Sequence, residues 1–154
     1  MLIALLLDHW RLLESPLLYL SLYLKQNQAA YYRWLSAIRT EGDWLGWLRF
    51  FLDGVAEIAD DATRTARDLY ARVNEDRKTL LGTPGATVTA IQLFEKLPEH
   101  PVVTMPLVTR LLATTKPTAG KAIELLIAAG ILAEVGERKR DRLYRYQNYL
   151  KLLE

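Results

Sequence analysis

The stretch Gly82 to Gly85, Gly-Thr-Pro-Gly, is the clearest cluster of chain breakers in this sequence. Glycine and proline together punctuate regular structure more strongly than any other residues. Before this cluster the apolar periodicity is helical throughout. After it, helices give way to a short strand signal. The order restricts the chain to a mainly α fold with a small β component. It also proposes two parts: residues 1–81, a helical bundle, and residues 86–154, a smaller mixed domain. A chain of 154 residues has room for one domain or two small ones. Its 51% hydrophobic and 25% charged residues match an ordinary globular protein and exclude a disordered one.

The first part reads as four helices. Met1 to Leu13 is apolar on nearly every face (Leu2, Ile3, Leu5, Leu6, Leu7, Trp10), as a helix inside a bundle would be. That is too apolar for a free end, so the chain is expected to begin in the middle of a domain. Ser15 is placed to cap a second helix from about Pro16 to Lys25, with the proline in its first turn. A third helix covers about Gln28 to Thr40. Gly42 breaks it, and Asp43 can cap a long fourth helix from Trp44 to about Leu80. This last helix begins rich in aromatics, Trp44, Trp47, Phe50 and Phe51. They are expected to form a core with Tyr31 and Tyr32 of the third helix, since the spacing is helical and no basic residues interleave on that face as they would in a base-stacking platform. Its apolar positions then thin to Ile58, Ala62, Ala66, Leu69 and Val73.

The second part has a specific order. A helix spans about Thr87 to Leu97, and Val102 and Val103 form a short strand. Thr104 caps a helix from Met105 to Leu112, and Thr115 caps another from Lys116 to Ala129. That last helix has a core stripe at Ala119, Ile123, Leu126 and Ile127, and Gly130 ends it as a left-handed glycine. Strands at Ile131 to Val135 and Arg142 to Tyr146 flank a charged turn, and Tyr149 to Leu153 closes the chain. Helix, strand, helix, turn, helix, strand, charged loop and strand is the order of a winged helix-turn-helix with a small β-wing.

Several chemistries are excluded by composition. There is no cysteine, hence no disulfide, zinc-thiolate site or cysteine nucleophile. His9 and His100 are too far apart in sequence to begin a histidine-rich metal site, so no metal is expected. The Asp8–His9 pair has no nucleophile at suitable spacing, and His9 reads as a packing or capping residue. The apolar run Met1 to Leu7 is too short to span a bilayer and lacks the basic flank of a signal peptide. No membrane partner and a cytoplasmic location are therefore expected. Net charge is +2, unevenly spread. Residues 1–85 carry 10 basic and 11 acidic side chains, and residues 86–154 carry 10 and 7. The run Arg138 to Arg145 concentrates five of the basic ones.

The segment Pro16 to Val55 resembles the C-terminal half of the Fic domain. The resemblance lies in the run "PLLYLS" and in Tyr31, Tyr32, Leu35, Arg39, Gly42, Asp43, Trp44, Trp47, Phe50, Phe51, Leu52, Gly54 and Val55. Many members of that family also carry a C-terminal winged helix, with an ending similar to Gly136 to Leu153. The family transfers AMP from ATP to protein hydroxyls, with magnesium, through a motif of the form HPFxxGNGRxxR. That motif does not occur in this sequence. The resemblance thus implies a partial Fic-like helical bundle without catalytic residues or cofactor of its own, whose partner would be the missing N-terminal Fic portion or another chain.

The candidate site lies in the second part. Lys116, Thr118 and Lys121 stand where a recognition helix faces the major groove, and Thr114 and Thr115 precede them. Arg138, Lys139, Arg140 and Arg142 would form the wing and meet phosphates. Gly120 offers no side chain to a base, and Glu124 repels phosphate. Three uses stay open: DNA binding, contact with another protein, and regulation of a parent enzyme. The alternative to a Fic fragment is a stand-alone transcription regulator, a homodimer joined through its N-terminal helices.

Overall fold

The computed structural model describes residue 9, residues 20–136 and residues 142–153. The expected first helix, Met1 to Leu13, and the Ser15 cap lie outside these. The described chain is mainly helical, with seven helices and one three-stranded antiparallel sheet. It divides into two units, Met1–Arg64 and Thr65–Glu154.

In the first unit, α1 (Leu20–Gln26) and α2 (Gln28–Glu41) precede the long α3 (Trp44–Gly82). Gly42 ends α2 in the left-handed region, at φ 72°. Asp43 then caps α3, its Oδ1 accepting from the N–H of Gly46 at 2.9 Å. Tyr31 and Trp47 have ring centroids 5.6 Å apart, Trp47 and Phe50 5.9 Å, and Tyr23 and Phe50 5.7 Å. These are the offset and tilted contacts that aromatic quadrupoles favour. Two glycines make room for them. The Trp34 ring occupies the space a Cβ at Gly46 would need, and the Tyr23 ring does so at Gly54. The expected aromatic core therefore forms in part, with two corrections: Trp44 is 62% exposed and Tyr32 57%. Trp44 precedes Trp47 by three residues yet points away from the cluster. Ala62 and Ala66 are also exposed, while Ile58 is buried.

The second unit includes the end of α3. Leu80 is fully buried and Val73 packs on the same core. Next come α4 (Val88–Lys96), β1 (Val102–Thr104), α5 (Met105–Leu111), α6 (Lys116–Ala128), β2 (Leu132–Val135), β3 (Leu143–Tyr146) and α7 (Gln147–Lys151). The helix starts follow the caps. The Thr87 hydroxyl accepts from Ala90 N–H at 3.2 Å, and that of Thr104 from Leu107 N–H at 3.4 Å. β3, last in sequence, lies between β1 and β2. Its register sets Val103 opposite Tyr144 on one side and Ala133 opposite Arg145 on the other. Leu93, Phe94, Val103, Val108, Ile123 and Leu126 fill the core between the helices and one face of the sheet. The stripe on α6 differs from the sequence expectation at one place. Ala122 is buried, and Ile127 is 37% exposed. Ile127 sits about a quarter-turn off the direction shared by Ala119, Ala122, Ile123 and Leu126.

Candidate nucleic-acid interface

The turn between α5 and α6 is tight. Ala113 takes φ 46°, a left-handed conformation that side chains rarely adopt. The Ala113 N–H donates to Arg110 O and the Thr114 N–H to Thr109 O, at 3.3 and 3.1 Å. Thr115 occupies the cap position of α6, and Pro117 stands in the first turn. The Thr115 hydroxyl does not bond a backbone N–H, however. It shares a 3.0 Å hydrogen bond with the Thr118 hydroxyl instead. The free amides of this first turn give α6 a positive N-terminal end.

Thr115, Lys116 and Lys121 are exposed, while Thr114 and Thr118 are half-buried. The fold thus brings together the five candidates around α6, at the turn and along its first two turns. At the other end Gly130 stands at φ 71°. Its N–H donates to Ile127 O and that of Ile131 to Leu126 O, both at 2.9 Å. This paired-bond C-cap needs the left-handed glycine and aims the chain into β2.

Of the four candidate wing residues, Arg138, Lys139 and Arg140 lie outside the described residues. Arg142 is exposed, and its Nε lies 3.3 Å from Glu134 Oε1 across the β2–β3 hairpin. Exposed pairs of this kind are worth well under about 1 kcal/mol, so a phosphate can compete for the arginine. Arg110 on α5 and Arg145 on β3 are among the other exposed cations of the same unit, as are Lys96 and Lys151. Arg145 closes the basic run singled out in the sequence, and on β3 it alternates with the buried Tyr144 and Tyr146. Arg110 gives no sequence signal apart from its charge.

The remaining polar groups hold the unit together. The Tyr146 hydroxyl donates to Asp76 Oδ2 at 2.7 Å in a buried setting, and Arg72 stands 3.5 Å from the other carboxylate oxygen. Burial, and then the bond to Asp76, push the Tyr146 phenol far above its ordinary range. It is a fixed donor, not an acid. Arg77 and Glu95 pair at 2.8 Å between α3 and α4.

Among the described residues no group of three or more His, Asp or Glu side chains is placed to hold a metal ion. None of their helices is long and apolar enough to cross a membrane. No model of a known protein family matches the chain.

Proposed function

We propose that the chain is a C-terminal part of a Fic-like protein, with no catalytic motif of its own, whose second unit is a winged helix that binds duplex DNA. Three features support the winged helix: the sequence of elements from α4 to β3, the sheet order β1-β3-β2, and the antiparallel pairing of β2 with β3, between which most of the basic run falls in the sequence. The observation that carries the DNA reading is the exposed side of α6. It presents Lys116 and Lys121 beside the Thr115 cap, while its opposite side is packed into the core. A helix fixed in this way offers charge to phosphates and its surface to the major groove. The wing would add salt-dependent phosphate contacts through Arg138, Lys139, Arg140 and Arg142.

The test is a titration of the full chain with duplex DNA against two variants. One replaces Lys116 and Lys121 by Ala, and the other replaces the four wing residues by Ala. Each is expected to weaken binding about tenfold or more, without loss of the thermal transition. Binding unchanged in both would sink the reading. The second reading, a stand-alone dimeric winged-helix regulator, draws on one observation that the fragment reading shares. Leu45, Leu48 and Leu52 form an exposed apolar row on α3, at 72%, 51% and 59% exposure.

A further inference from the structure

Gly120 lies in the middle of α6, where glycine costs stability relative to alanine because it loses more backbone freedom on folding. Nothing among the described residues requires it. The glycines at positive φ are Gly42, Gly85, Gly130 and Gly136, so Gly120 has no need of its conformational range. A Cβ built at Gly120 meets only Met105 Cε, at 3.7 Å, an ordinary van der Waals distance. Gly46 and Gly54 are different: at each, an aromatic ring fills the space of the missing side chain. Gly120 is thus a helix-interior glycine at which a methyl group would touch Met105 and clash with nothing. It is half-exposed, one turn after Lys116 and next to Lys121.

A bare backbone on an exposed helix lets a flat, rigid ligand come closer than any side chain would allow. We propose that Gly120 is the point of closest approach between α6 and the duplex, where the helix backbone lies against the edge of the major groove. The inference rests on the DNA-binding reading above. Lys116 and Lys121 flank the contact and attract phosphates on either side of it. Glu124, exposed one turn on, repels phosphate. The surface proposed to meet Gly120 is base edge, where sequence is read. On this account the missing side chain at Gly120 is what lets the duplex approach the helix backbone.

The experiment uses the full chain and its Gly120→Ala variant. A randomised duplex DNA library is enriched on the wild-type chain, and the best duplex is then titrated against both proteins. Alanine should raise the melting temperature by about 2–4 °C, since it suits a helix and has room. It should weaken DNA binding about tenfold or more, the scale of one lost base contact. A melting temperature that falls would show that the protein itself needs the glycine, and would overturn the inference. Affinity unchanged in Gly120→Ala would overturn it while leaving the DNA reading intact. If the wild-type chain enriches no duplex, the DNA reading fails and the inference fails with it.

Discussion

The Tyr146 side chain is fully buried, and the Asp76 carboxylate accepts from its hydroxyl. The ring is stacked on Tyr149 at 5.2 Å and meets Phe94 edge-on at 6.1 Å, so it cannot swing out toward water. Asp76 is buried as well, 6% exposed, and would be an uncompensated charge without Tyr146 and Arg72. Removing either partner therefore strands the other. Asp76→Ala and Tyr146→Phe should each cost about 1–3 kcal/mol in urea unfolding. Their double variant should cost clearly less than the two costs added, because the stranded group is gone. Full additivity would show that the bond contributes nothing. The bond also has a pH signature. The folded-state phenol is held above its unfolded value, so its contribution is complete below about pH 10 and fades as pH rises beyond that. Tyr146→Phe should be less sensitive to that alkaline range than the wild-type chain.

At the scale of elements, Asp76 and Leu80 show why the end of α3 belongs with α4 and the sheet. Both lie on the stretch where the sequence looks most polar, and both are buried in the second unit. The breaker at Gly82 to Gly85 marks where the helix stops, not where the packing changes. A chain of residues 65–154 should unfold in one cooperative transition. A chain of residues 86–154 loses the burial of Leu80, worth about 1.5–3 kcal/mol, and leaves the Tyr146 hydroxyl without its acceptor, about 1–3 more. It should be markedly less stable or unfolded, as circular dichroism on heating would show. Equal stability of the two pieces would refute the assignment. The same contrast explains what sequence could reveal. Helix starts at Asp43 and Thr104 were legible because capping is local chemistry between neighbours, whereas the Thr115 hydroxyl turns to Thr118 instead. The end at Gly130 was legible too. Asp76 was not, because its partner lies 70 residues away and a lone acid among charges reads as solvated. Ile127 misled because an apolar residue near a stripe need not be in it. Within the candidate site, the order from Thr114 to Lys121 was legible, whereas the pairing of Arg142 with Glu134 depends on the hairpin register.

At the scale of the molecule, the first unit carries more apolar surface than its described helices cover. Leu45, Leu48 and Leu52 fall on one side of α3, while Trp47, Phe50 and Gly54 face the aromatic cluster on another. A helix with two apolar sides normally sits between two neighbours. Several positions of the Fic-like pattern, Leu35, Trp44 and Leu52, are also exposed, so packing within the described residues does not account for them. An apolar row of this length in water favours association. We therefore expect the isolated chain to self-associate in sedimentation, and a variant with Leu45, Leu48 and Leu52 all replaced by Ser to do so far less. Because these side chains are already exposed, the variant should keep the wild-type melting temperature within a few degrees. The form of the association separates the two readings of the whole protein. A regulator with a self-complementary face closes as a two-fold dimer, and its mass stops growing with concentration. It also places two winged helices on one duplex, so the Ser variant would lose DNA affinity through lost avidity although no contact to DNA was touched. A Fic-like fragment uses the same row to meet a chemically different partner. Its association is open-ended, its mass keeps rising with concentration, and the Ser variant binds DNA as well as the wild-type chain.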